Sequence, residues 1–187
     1  MRTQRLTAIG CALLWSASLS AQTRTVAPET GIVTWETQAH GVTLLMAQIL
    51  PDQARAFYGN RGLPTAATEA YAKACVFMTV LRNDSAPGAV HFRQADWSVV
   101  TASGEQPPIV AAEWLKRFES DQLTQSARIA FRWAQFPPEQ TYQPGGDWNQ
   151  GMLTAGLPPG SKFDLIARWD IDGKPFEGRL KDVQCAK

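Results

Sequence analysis

The 187-residue chain holds little of what most metal and nucleophile chemistry is built from: two histidines, three cysteines and four methionines. No C-x-x-C, H-x-H or H-x-x-x-H places any of them together, so a metal site has to be assembled across the fold. G-x-S-x-G is missing, and so are the Walker and dinucleotide glycine patterns, which removes the sequence-legible forms of those three chemistries. An excess of one charge is lacking too. A formal net charge of +1 gives no electrostatic reason to expect nucleic acid or an anionic membrane as partner.

Long apolar runs are confined to the start. Arg2 and Arg5, the stretch Leu6 to Leu14 with Trp15, and the small residues Ser18-Leu19-Ser20-Ala21 read as a secretory signal over 1–21. Its apolar centre is too short to span a bilayer, and no later segment approaches that length, so no membrane span is expected. Ala8 stands where a lipoprotein signal carries Leu before its cysteine, which favours cleavage over a lipid anchor at Cys11. The expected location is periplasmic or secreted. About 165 residues then remain, enough for one domain with its own core.

Export also fixes how the two remaining cysteines read. In an oxidising compartment Cys75 and Cys185 are expected to pair, closing a loop worth on the order of 4–5 kcal/mol in the chain-entropy picture. The functional alternative, a thiolate metal ligand or redox centre, lacks a C-x-x-C on either side.

Taken in order, 22–31 reads as a flexible arm with Pro28, and 32–187 as a β-rich domain. Ile32 to Gln38 and Val42 to Ile49 form a candidate hairpin about Ala39-His40-Gly41. Helices are expected from Pro51 to Tyr58, over Thr65 to Ala74, and over Ile109 to Glu119. Cys75 to Leu81 is apolar on both alternating sets, which predicts a central strand covered on both sides. Ala89 to Arg93 and Trp97 to Thr101 read as further strands, and Ser103 to Pro108 as a loop. Ala127, Ile129, Phe131 and Trp133 alternate with polar residues, which predicts a half-buried strand. Residues 136–160 are rich in proline and glycine and read as a long loop, interrupted at most by a short strand near Gly151 to Thr154.

Asp172-Gly173 marks a two-residue hairpin. Pairing Ile171 with Lys174 sets Trp169 against Phe176, Ala167 against Gly178 and Leu165 against Leu180. The same register sets Arg168 against Glu177 and Asp164 against Lys181 on the other face. The apolar face decides the register, since exposed ion pairs contribute less than about 1 kcal/mol each. A bulge near Asp182 is needed to turn Val183 and Cys185 inward. The fold class that follows is mainly β: a single β-sandwich or Ig-like domain with two or three short helices inserted.

Three functional readings compete. In the first, an exported non-enzymatic binding or accessory protein uses the segment 140–152, where Tyr142, Asp147, Trp148, Asn149 and Gln150 can stack on and hydrogen-bond a protein, peptide or glycan. The bland counterpart has Trp148 folded back into the core and Asp147 satisfying turn amides. In the second, His40, Met46, His91 and Met152 supply soft ligands for copper in a copper-handling protein. Its counterpart leaves Met46 in the core and His91 as an ordinary surface residue. In the third, Glu36, Asp52, Asp96 and Asp147 converge as a hydrolase's carboxylates, although scattered carboxylates ordinarily cap or are solvated.

Overall fold

The structure, a computed structural model, describes residues 22–187, and the expected signal segment 1–21 lies outside the described residues. Its architecture grows from the hairpin whose register the side chains dictate. Strands β10 (Lys162–Ile171) and β11 (Lys174–Gln184) turn at Asp172 and Gly173, both at positive φ (50° and 77°), as the two-residue turn requires. Ile171 pairs with Lys174, Trp169 with Phe176, Ala167 with Gly178 and Leu165 with Leu180, the register expected. Asp182 takes φ 52°, and the pairing shifts there so that Phe163 meets Val183. Val183 and Cys185 are thereby buried in the main core. Arg168 reaches Glu177 at 3.9 Å, whereas Asp164 accepts the backbone N–H of Asp182.

Two antiparallel sheets face each other. The first has the order β1–β2–β3–β4–β9, from β1 (Thr23–Val26), β2 (Val33–Ala39), β3 (Val42–Gln48), β4 (Val76–Asn83) and β9 (Asp147–Thr154). The second joins β11 and β10 to β5 (Val90–Arg93) and β6 (Ser98–Thr101), which carry β8 (Glu139–Tyr142) and β7 (Gly104–Gln106) at their far edges. Trp35, Phe77, Phe92, Trp97 and Leu165 fill the space between the sheets. Fully burying such side chains contributes roughly 1.5–3 kcal/mol each, which makes this layer the main source of stability. Residues 23–26 of the segment read as a flexible arm pair with β2 along their whole length.

Helices α1 (Pro51–Gly59), α2 (Thr65–Ala72), α3 (Ala111–Arg117) and α4 (Gln125–Ala134) cover part of the first sheet's outer face. Four α-helices stand among the described residues where two or three were expected. They build a second core in which Tyr58, Tyr71, Trp114, Phe118 and Phe131 pack over Val76 and Met152. The central strand is therefore covered on both faces in its first half. Phe77 and Leu81 enter the sandwich, and Val76 enters the helical layer. Cys75, just before β4, is bonded to Cys185, just after β11, so the disulfide joins the two sheets across 110 positions.

Three expectations are corrected. The predicted strand Ala127–Trp133 is helix α4, capped by Thr124, whose hydroxyl accepts the Ala127 N–H at 3.2 Å. Ala127 and Phe131 are its buried positions, and Leu123 and Gln135, just outside its two ends, continue the same spacing of four. A spacing of four fits both a two-residue and a 3.6-residue period, so the apolar set alone did not separate helix from strand. The predicted long loop 136–160 contains β8 and β9, with only residues 143–146 turning between them. Ser103–Pro108, read as loop, likewise contains β7.

Candidate functional site: the open half of β9

Strand β9 lies at the edge of the first sheet, with β4 on one side. On its other side the second half is covered. Phe136 donates its N–H to the Met152 carbonyl at 2.9 Å, and Ile109 does the same to Thr154 at 3.0 Å. Backbone groups alternate sides along a strand, so Trp148 and Gln150 present their N–H and C=O in the same outward direction as Met152. No backbone or side-chain group among the described residues pairs with them there. The first half of β9 is an open edge.

Beside that edge lies a groove of about 750 Å³. Leu115, Ile129 and Trp133 make its apolar wall, Phe136, Pro137 and Pro138 its floor, and Gln140, Asn149 and Gln150 its amide side. Arg132 is the one charged residue among those lining it, and no carboxylate pairs with it among the described residues. Three of the four large apolar side chains most exposed on the described surface are Trp133 (85%), Trp148 (48%) and Ile129 (47%). Two of these line the groove and the third sits on the open half-strand. Exposed aromatic side chains beside unpaired backbone are a feature of contact surfaces rather than of inert ones.

The groove's floor is held from within. Tyr71 donates its hydroxyl to Gln135 Oε1 at 2.9 Å, Gln135 Nε2 donates to the Tyr58 oxygen at 2.6 Å, and the Tyr58 hydroxyl donates to Met152 Sδ at 3.2 Å. Burial pushes both phenols above their ordinary range, so they remain neutral donors at any physiological pH. Gly151 lets the 135–136 segment cross the sheet edge. A Cβ there would stand 2.3 Å from Phe136 N and 2.4 Å from the Gln135 carbonyl carbon.

Of the residues expected to bind, Asn149 and Gln150 line the groove and Trp148 stands exposed on the same half-strand, not folded back as a plug. Asp147 closes the turn, accepting the Gln143 N–H at 3.0 Å. Tyr142 is elsewhere: it is wholly buried and stacks on Phe92 with ring centres 5.6 Å apart. Ile129, Arg132 and Trp133 were missed, because a strand reading of 127–133 put Ile129 and Trp133 in the core. Only a helical reading makes Trp133 an outlier on a polar face.

The four copper candidates stand in four surroundings. His40 packs on Phe176 at the β2–β3 turn, with ring centres 4.5 Å apart. Met46 is inside the sandwich and Met152 inside the helical layer, on opposite faces of one sheet. His91 lies on β5 with Nδ1 3.0 Å from Asp170 and Nε2 2.9 Å from Glu139. Among the described residues no group of three or more His, Cys, Asp or Glu side chains could hold a metal ion. The carboxylates are dispersed as well: Asp52 pairs with Arg55, Asp96 with Arg93, and Glu36 is exposed on β2.

No family model matches the chain, and no curated protein or solved structure gives a significant match. What the groove can do has to be read from its own chemistry.

Proposed function

We propose that the chain is an exported, non-enzymatic binding or accessory protein whose contact surface is the open half of β9 with the groove beside it. The observation that carries this reading is the coincidence of unpaired edge backbone at Trp148 and Gln150 with the exposed rings of Trp148 and Trp133. The Cys75–Cys185 bond supports an oxidising compartment outside the cytoplasm, periplasmic or secreted. The expected contact segment 140–152 contributes through Trp148, Asn149 and Gln150, and α4 supplies the rest of the wall.

Arrays of random octapeptides and of bacterial surface oligosaccharides, probed with the disulfide-bonded protein and with a Trp133→Ala/Trp148→Ala variant, test the reading. Trp133 is exposed, Trp148 about half-exposed, and neither belongs to either core, so the double substitution opens no cavity in them. Hits that weaken at least tenfold in the variant agree with it. Hits indifferent to both substitutions, or no hits at all, contradict it.

A further inference from the structure

We infer that the groove takes an extended peptide as an added strand on β9, with an acidic side chain of that peptide set against Arg132; this rests on the groove being the contact surface. The backbone selects the kind of polymer. Trp148 and Gln150 offer donor and acceptor pairs two residues apart, a repeat of roughly 6.7 Å along a strand. A second extended chain meets that spacing with its own N–H and C=O groups, whereas sugar hydroxyls carry no such repeat.

The other edges of the two sheets show that this opening is particular to β9. β11 carries Lys174, Pro175 and Lys181, and it breaks register near Asp182. β8 follows directly on Pro137 and Pro138, β7 is three residues long, and β1 is four residues long and carries Arg24. Lysine, proline, bulges and short length are the usual means of keeping an edge from pairing. Trp148-Asn149-Gln150 belongs to an eight-residue strand without lysine, proline or bulge, and the partner segment 135–136 that seals its far end stops short of these residues.

Charge selects the sequence. Arg132 stands in the groove unpaired with any carboxylate among the described residues, and Leu115, Ile129 and Trp133 line the same groove with apolar surface. Side chains of an added strand alternate faces, so an acidic residue facing Arg132 has apolar neighbours two positions away that face the same wall. The occupant is an acidic, otherwise apolar and uncharged, extended segment.

The test uses an acetylated, amidated octapeptide alternating Ser and Val with a central Glu, titrated into the isotope-labelled, disulfide-bonded protein and followed by amide NMR. Three controls accompany it: the Lys-for-Glu octapeptide, a version N-methylated on the backbone nitrogens that face β9, and the Arg132→Gln protein. The expected result is a shift of the Trp148 and Gln150 amides, at least tenfold weaker with Lys, lost on methylation, and equal for Glu and Lys in Arg132→Gln. If the methylated octapeptide binds as well as its parent, strand addition is overturned while the groove stands as a contact surface. If no octapeptide binds but array hits still depend on Trp133 and Trp148, the peptide inference alone falls. Amide shifts at Trp148 and Gln150 that follow protein concentration without peptide would overturn it in favour of a second copy.

Discussion

Tyr71 and Gln135 meet at 2.9 Å, hydroxyl to amide oxygen, and this contact fixes the end of the helix that walls the groove. Both residues are buried, so neither can exchange its partner for water. Tyr71→Phe leaves the Gln135 oxygen buried without its donor and is expected to cost about 1–3 kcal/mol. Urea unfolding of the two proteins measures this directly. A change below a few tenths of a kcal/mol would mean that the contact does not hold the helix end.

Gly151 faces the 135–136 segment at a separation no Cβ can occupy. Gly151→Ala must push that segment off the sheet edge, at a cost of about 1–3 kcal/mol typical of overpacking. The substitution should also free the Met152 carbonyl from Phe136, visible as faster exchange of the Phe136 amide. Unchanged thermal stability would contradict the close approach.

The Cys75–Cys185 bond closes a loop of 110 positions. Replacing both cysteines by Ala is expected to lower stability by about 4–5 kcal/mol in the chain-entropy picture. A loss below about 1 kcal/mol in denaturant would show that the denatured chain is already compact without the link.

His91 provides a pH signature away from the groove. Glu139 first and then Asp170 raise its pKa above the ordinary 6.5, since a protonated ring donates to both carboxylates. The folded state thus holds the proton more tightly than the unfolded chain does. This contribution is complete below about pH 6.5 and fades as pH rises through the raised folded value. The group is about a third exposed, so solvent weakens the effect. Unfolding midpoints at about pH 5.5 and pH 8.5 should differ more for the native protein than for His91→Gln. Equal differences would remove His91 as the source.

Legibility in the sequence followed how many constraints bore on each segment. The β10–β11 register was readable because apolar pairs, charge pairs and a Gly-containing turn all agreed, and even the Asp182 bulge was forced by the need to bury Val183. The disulfide followed from two cysteines and an expected export signal. Segment 125–134 was misread because its buried positions fall four apart, a spacing two periods share. β9 was hidden because its first half is not buried. An edge strand whose first half stays exposed shows no apolar alternation, so Asp147 to Gln150 resembled a loop. The candidate surface was legible in Trp148, Asn149 and Gln150 but not in Ile129, Arg132 and Trp133, which the misread helix supplies.

Site-resolved hydrogen exchange over residues 147–151 tests the open edge most directly. In the free protein, Trp148 and Gln150 amides should exchange nearly as fast as an unprotected chain, while Asn149 and Gly151, turned toward β4, exchange far more slowly. Adding the Glu octapeptide should slow the fast pair alone. Uniform protection across all five amides before any peptide is added would show that the edge is already closed.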